Sequence, residues 1–184
     1  AYVLVREMRP RRIVEVGSGH STRFMARAIR DGELATELIA IDPAPRADIE
    51  GLGATLIRST VQAAGTAPFK PLQAGDILFV DSSHILMPGT DVDVLFNHIL
   101  PALPARVLVH VHDVFLPDDY PPDWDWRGYN EQLGVAALIQ GGYGLIWSSR
   151  YAATRMADRV ATSAAGRLEL KPSAHEASLW LVKT

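Results

Sequence analysis

Short apolar runs alternate with amphipathic stretches along most of this 184-residue chain. Such alternation is typical of parallel strands joined by helices. Strands are predicted at about residues 12–16, 37–42, 54–58, 77–82, 106–112, 144–149 and 177–183, and helices at about residues 2–8, 21–31, 46–51, 91–100 and 128–140. The run from Ile77 to Val80 is apolar throughout, as expected of a strand buried on both faces. The pattern predicts one α/β domain over residues 1–184.

The first predicted strand runs into a glycine-containing turn, and the residues from Ile13 to Thr22 read I-V-E-V-G-S-G-H-S-T. Gly17 and Gly19 let the backbone turn sharply and approach a ligand, and the following helix offers free N–H groups. The second strand ends at Asp42, whose carboxylate is placed to bind a ribose diol. Together these features predict half of a nucleoside-cofactor site.

The acid beside the glycines indicates which of two kinds of cofactor the site binds. A dinucleotide site has G-x-G-x-x-G, but Thr22 stands at the third glycine position and Glu15 precedes the first glycine. A carboxylate is a poor neighbour for a pyrophosphate and suits a cationic ligand. The residues E-V-G-S-G, with Asp42 following, resemble motif I and the ribose-binding acid of class I S-adenosylmethionine-dependent methyltransferases.

The resemblance covers about residues 10–150 and sharpens at V-D-S-S-H, H-V-H-D-V-F-L-P-D-D-Y-P and W-R-G-Y-N-E-Q. These motifs look like a bacterial subfamily related to small-molecule O-methyltransferases. The resemblance implies a Rossmann-like, mostly parallel seven-stranded sheet with an antiparallel strand near its edge and helices on both faces. It implies S-adenosylmethionine as cofactor, bound by Glu15, Gly17, Ser18, Gly19, His20, Asp42, Ser59, Gln62 and Asp81.

In such enzymes the methyl acceptor lies at the ends of strands four and five. An acceptor hydroxyl needs a base that removes its proton or a divalent cation that lowers its pKa. The catalytic candidates are Asp81, His84, His112 and Asp113. A metal would be held by Asp81, His112 and Asp113, although His112 replaces an acid of the relatives. Without metal, His84 or His112 is the base, and Asp81 or Asp113 orients its ring.

Three further histidines are interpreted without a catalytic role. His110 precedes His112 by two residues and is expected to be a core histidine. His98 and His175 are expected to lie at the surface.

Residues 117–126 are rich in Pro, Asp and aromatic side chains and are predicted to form a mobile cover over the acceptor. A loop packed on the sheet is the alternative. The residues assigned to the substrate and its cover are Tyr120, Trp124, Trp126, Tyr129 and Asn130. Residues 151–176 show no clear hydrophobic period, and the sequence is compatible with a helical segment, a mobile segment or both.

Composition and charge limit the binding partners and the cellular compartment that we expect for this protein. The net charge of −3 and the lack of a basic stripe argue against nucleic acid. The chain has no cysteine, which fits a cytoplasmic protein, and no apolar run long enough to span a membrane. It begins inside a predicted helix, so we expect a segment before Ala1. The sequence is compatible with a homo-oligomer.

Three functions remain in competition. The leading hypothesis is O-methylation of a small molecule such as a sugar, a glycan or a secondary metabolite. The alternatives are an NAD(P)-dependent oxidoreductase and a non-catalytic, methyltransferase-like binding scaffold. Binding of S-adenosylmethionine, S-adenosylhomocysteine or NAD would discriminate among them.

Overall fold

A computed structural model describes residues 1–169, 171 and 174–184. One seven-stranded sheet forms its centre. The strands are β1 (Arg12–Val16), β2 (Glu37–Ile41), β3 (Ala54–Ile57), β4 (Ile77–Val80), β5 (Leu108–His112), β6 (Tyr143–Ser148) and β7 (Ser178–Lys183). Their order is β3-β2-β1-β4-β5-β7-β6. β7 is antiparallel to β5 and β6, while the other neighbours are parallel. The predicted Rossmann-like sheet, with its antiparallel strand near the edge, is confirmed.

Helices cover both faces of this sheet. They are α1 (Tyr2–Met8), α2 (His20–Asp31), α3 (Val61–Ala64), α4 (Asp91–Val94), α5 (Glu131–Gln140), α6 (Ser149–Arg155) and α7 (Ala157–Ala161). α4 continues into a π-helical turn at Leu95–Ile99, and 3₁₀ helices lie at Ala67–Phe69, Leu100–Ala102, Pro122–Arg127 and Ala165–Arg167. Part of the segment 151–176, which the sequence left open, is therefore helical.

The helix predicted at residues 46–51 is wrong, because this segment consists of bends and a turn. The carboxylate of Asp48 accepts a hydrogen bond from the Glu50 N–H at 2.8 Å, and such local bonds compete with helix formation. Gly51 and Gly53 follow with φ angles of +71° and +78°, which a right-handed helix excludes.

Apolar side chains of the central strands pack on both faces of the sheet, as the pattern of β4 predicts. Leu78 and Val80 join the core formed with α3, α4 and α5, whereas Ile77 and Phe79 join the core formed with α1 and α2. His110 belongs to the second face: it is 2% exposed, and its ring stacks on Phe79 with 3.9 Å between the ring centroids. Burial and the neighbouring His112 hold the pKa of His110 well below its ordinary value. It is a neutral core histidine, as expected.

Parallel pairing brings the carboxyl ends of four strands to the same edge of the sheet. Val16 of β1 pairs with Ile41 of β2 and with Val80 of β4, and Val80 pairs with Val111 of β5. The polar residues that follow each strand therefore lie at one edge, where ligands bind in open α/β sheets.

Candidate active site

A pocket of about 590 Å³ opens at this edge of the sheet. Its wall comes from the segments that follow β1, β2, β3 and β4. The lining residues are Val16, Gly17, Ser18, Ile41, Asp42, Pro43, Ala44, Arg46, Thr60, Val61, Gln62, Asp81, Ser82, Ser83, Gly89, Thr90 and Asp91. A pocket of this size is ordinary for a small-molecule ligand.

The glycine turn allows β1 and β4 to approach closely at the pocket. Gly17 has a φ of +82°, and a Cβ atom placed on it would lie 1.9 Å from the carbonyl oxygen of Asp81. The Asp81 N–H donates to the Val16 carbonyl at 2.9 Å, which fixes this approach. Any side chain at position 17 would collide with the backbone and strain it.

Asp42 presents a firmly held carboxylate to the pocket. Its Oδ2 accepts a hydrogen bond from the Ser18 hydroxyl at 2.8 Å, and its Oδ1 accepts one from the Ala44 N–H at 2.7 Å. A carboxylate oxygen can accept more than one hydrogen bond, so both atoms keep capacity for a ligand hydroxyl. The geometry suits recognition of a diol.

Glu15 lies beneath the glycine turn and outside the pocket wall. Its side chain is fully buried, and its oxygens accept hydrogen bonds from the hydroxyls of Ser21 and Thr22, the latter at 2.6 Å. Thr22 in turn accepts the Gly19 N–H, so the acid ties the turn to α2. Burial raises the pKa of Glu15 to about 7, against the effect of its two hydrogen bonds. Direct contact with the cofactor stays a prediction.

The other predicted cofactor residues divide into two groups. Gln62 lines the pocket and donates to the Gly89 carbonyl at 3.1 Å, whereas Gly19, His20 and Ser59 are not part of the wall. Sequence reasoning missed Arg46 and Thr90, which do line it. Arg46 falls in the segment that was assigned to a helix, which hid its position beside the pocket.

Next to the pocket, three acids surround the ring of His84. Nε2 lies 3.4 Å from Asp81 Oδ1 and 3.6 Å from Asp113 Oδ2, while Nδ1 lies 2.9 Å from Glu131 Oε2. The His84 side chain is only 3% exposed. Glu131 has no role in the sequence analysis, although it stands in the motif W-R-G-Y-N-E-Q.

The surrounding acids decide the charge of His84. Burial lowers its pKa, but the hydrogen bonds to Asp81 and Glu131 and the charges of Glu131 and Asp113 outweigh burial and raise the pKa to about 10. This shift favours the protonated ring and disfavours His84 as a general base, a role that stays a prediction. The same contact with His84 keeps the pKa of Asp81 below its ordinary value despite burial.

His112 is the accessible histidine of the cluster. Its side chain is 43% exposed, and its Nε2 lies 3.6 Å from Asp113 Oδ1. Asp113 thus faces His84 with one oxygen and His112 with the other. This distance is longer than a hydrogen bond, and Nδ1 of His112 is buried without a partner, so Asp113 can stabilise a positive charge on the ring but does not fix its orientation.

The predicted metal set of Asp81, His112 and Asp113 does not fit the observed geometry. Asp81 and Asp113 direct oxygens to His84, whose ring occupies the space between them. Over residues 1–169, 171 and 174–184, no group of three or more His, Asp or Glu side chains is arranged to hold a metal ion.

The cover segment packs over the His84 cluster. The ring of Tyr129 lies 4.5 Å from that of His84, and Trp124 meets Tyr129 edge to face at 5.9 Å. Trp126 is 79% exposed, whereas Tyr120 accepts the backbone N–H of Gln132 through its hydroxyl oxygen. The segment therefore combines aromatic packing with an exposed tryptophan.

Asn130 and His175 both lie near the cover, in different surroundings. Asn130 hydrogen-bonds the backbone of Leu86 through both ends of its amide, so it holds two loops together. His175 is half-buried against Trp124 and Phe115, and its expected surface position is wrong because the aromatic cover packs on it. His98 is exposed, as expected.

Glu15 gives a prediction for the pH dependence of stability. The folded carboxyl has a pKa of about 7 and the ordinary value is 4.5, so the folded protein holds a proton that the unfolded chain loses in this window. The free energy of unfolding should fall as the pH rises from 4.5 to 7, by about 3 kcal/mol if Glu15 acts alone. Urea unfolding should show a flatter profile for Glu15→Gln and an unchanged slope for the exposed control Glu50→Gln. Parallel profiles for wild type and Glu15→Gln would contradict this prediction.

Comparison with solved structures agrees with the fold. The plantazolicin methyltransferase BpumL, in complex with a pentazolic desmethylPZN analog and SAH, is 12% identical, with a TM-score of 0.55 over 99% of this chain and 85% of that chain. The O-methyltransferase from Bacillus cereus in complex with SAH is 13% identical, with a TM-score of 0.57 over 100% of this chain and 78% of that chain. Identities this low show a shared fold alone.

Comparison of sequences gives the family. No curated protein matches the chain. None of the helices that the structure describes is long and apolar enough to cross a membrane. A family model described as "Methyltransferase domain" matches residues 14–114, which is more than half of the chain. The chain therefore belongs to the methyltransferase-domain family, and its resemblance to the class I S-adenosylmethionine-dependent methyltransferases is confirmed.

Proposed function

We propose that this methyltransferase transfers the methyl group of S-adenosylmethionine to a hydroxyl oxygen of a small molecule. The observation that carries the proposal is the position of the pocket. The diol-binding carboxylate of Asp42 and the glycine turn lie on one side of it, and Asp81 joins it to the acidic cluster around His84. Cofactor and acceptor sites thus adjoin at the ends of β4 and β5.

Charge favours S-adenosylmethionine over a nicotinamide dinucleotide. Among the residues that the structure describes, the pocket wall contains Asp42, Asp81 and Asp91 and a single cation, Arg46. A pyrophosphate would face these acids at a Coulombic cost, whereas a sulfonium and an ammonium would be attracted to them. We assign the ribose to Asp42 and the adenine to the side of the pocket formed by Gln62.

His112 is the proposed general base. It takes the acceptor's O–H proton while the oxygen lone pair forms the bond to the methyl carbon. The bond from that carbon to sulfur breaks, its electron pair stays on sulfur, and S-adenosylhomocysteine leaves. The carboxylate of Asp113, 3.6 Å away, stabilises the imidazolium that forms.

The cover suggests the class of acceptor. Trp126 is largely exposed beside the cationic side chain of Arg127, whose Cζ lies 5.1 Å from its ring centroid. An exposed indole offers a flat apolar surface for stacking a sugar or an aromatic ring. We therefore propose a sugar, a glycan or an aromatic secondary metabolite as acceptor, bound between the cover and Asp113.

The cofactor assignment is tested at Asp42. Asp42→Ala removes a charged acceptor for two ribose hydroxyls and should weaken binding of S-adenosylhomocysteine by about 1.5–3 kcal/mol, roughly tenfold to 150-fold. Isothermal titration calorimetry measures the change, and the exposed Asp48→Ala serves as control. Unchanged affinity in Asp42→Ala, or tight binding of NAD by wild type, would overturn the proposed function.

The base is tested at His112. His112→Ala should lower the rate of methyl transfer to hydroxyl acceptors by about 10²–10⁴, because a general base contributes about this much. The rate is measured as formation of S-adenosylhomocysteine from S-adenosylmethionine with a panel of sugars and phenols. Affinity for S-adenosylhomocysteine should not change, and the exposed His98→Ala should keep the wild-type rate. A full rate in His112→Ala would refute this role.

The cover is tested by limited proteolysis. Trypsin can cut after Arg127, whose guanidinium packs 4.1 Å from the Trp124 ring centroid. Cleavage there should slow when S-adenosylhomocysteine and an accepted sugar or phenol are both present, because the bound acceptor holds the cover down. Cleavage after the exposed Arg167 should not change. Equal rates after Arg127 with and without ligands would mean a static loop.

A further inference from the structure

The carboxylates of Asp81 and Asp113 lie at neighbouring strand ends and converge on one nitrogen atom. His84 Nε2 is 3.4 Å from the first and 3.6 Å from the second. Two acids brought together like this repel each other unless a positive charge or a hydrogen-bond donor lies between them. In this protein a side chain of the same chain occupies that position.

The hydrogen on Nε2 follows from its surroundings. A bare Nε2 would point a lone pair at two carboxylates, which is repulsive, so this nitrogen carries hydrogen. On the other side of the ring, Nδ1 lies 2.9 Å from Glu131 Oε2 and is satisfied by it. Nε2 carries hydrogen whether the proton between Nδ1 and Glu131 resides on the ring or on the acid.

The backbone shows that His84 is built into this position. Its φ is +61°, in the left-handed region that side chains other than those of Asn, Asp and His rarely adopt. Its carbonyl accepts the N–H groups of Asn130 and Glu131, at 3.1 and 3.2 Å, at the start of α5. Tyr129 packs on the ring from the cover side. The backbone of His84 is therefore tied to the start of α5, and the contacts with Tyr129 and Glu131 hold its ring.

We infer that His84 takes the place of a divalent cation between Asp81 and Asp113, so that this pair of carboxylates is assembled without metal. His84 is then a positioning residue. By holding one oxygen of Asp113 it leaves the other for His112, 3.6 Å away. Only this catalytic consequence rests on the proposed function; occupation of the site by His84 is independent of it.

The inference is tested by emptying the site. His84→Gly suits the left-handed backbone and leaves a ring-sized space among Asp81, Asp113 and Glu131, whose oxygens are ligands that Mn²⁺ prefers. The electron paramagnetic resonance signal of free Mn²⁺ reports binding. We expect wild type to leave Mn²⁺ free, His84→Gly to bind about one ion, and His84→Gly combined with Asp81→Asn to lose it.

Imidazole provides a matched probe of the same space. It should raise the melting temperature of His84→Gly, leave wild type unchanged, and compete with Mn²⁺ for the variant. Stoichiometric binding of Mn²⁺ or Zn²⁺ to wild type that Asp81→Asn abolishes would overturn the inference. So would a folded His84→Gly that binds neither Mn²⁺ nor imidazole.

A second measurement applies if His84→Gly does not fold. In ¹⁵N-labelled wild type, the His84 ring should show hydrogen on Nε2, and adding Zn²⁺ should leave its resonances in place; loss of that hydrogen with a shift on Zn²⁺ addition overturns the inference. Titration of the same sample with S-adenosylhomocysteine tests the proposed function separately, because the Nε2 resonance is assigned without cofactor.

Discussion

The close approach of β1 and β4 at Gly17 is the constraint on which the site depends. The carbonyl of Asp81 occupies the volume that a side chain at position 17 would fill. This approach sets the Asp81 side chain at the junction of the pocket and the His84 cluster. If the two strand ends were held farther apart, Asp81 could not belong to both.

The site buries several acids and compensates them in two different ways. Hydroxyl groups hydrogen-bond Glu15 and one oxygen of Asp42 without placing a cation next to either acid, and burial raises the pKa of Glu15. His84 instead compensates Asp81, Asp113 and Glu131 beside the pocket. The first solution leaves the pocket negative and attractive to a cationic cofactor, and the second prevents repulsion from opening the strand ends.

Local signals explain why the fold and the cofactor side could be predicted from the sequence. β4 is apolar at successive positions because both faces are buried, and Gly17 and Asp42 stand directly after strands, where parallel sheets bind ligands. The contact between His84 and Glu131 joins residues 47 positions apart, so no local period reveals it. His84 could be listed as a candidate, but its charge depends on acids that only the tertiary fold brings together.

The wrong predictions have one tertiary and one local cause. His175 is polar and lies in a segment without period, yet the aromatic rings of Trp124 and Phe115 bury part of it. At residues 46–51, the turn-forming Asp48 and the two glycines that follow outweigh the helix-compatible residues. Intrinsic helix propensity has little influence on the conformation of a loop that forms part of a pocket wall.

The position of β7 has a consequence for how the protein is made. This strand follows β6 in the chain but lies between β5 and β6, and Ser178 pairs with His112 at the active edge of the sheet. During synthesis, β5 must wait with one edge unpaired until about 65 further residues have left the ribosome, as its pairing with β7 is non-local. The open edge of a nascent sheet is prone to pairing with other chains. Completion of the sheet on the side of the pocket is thus coupled to translation of β7.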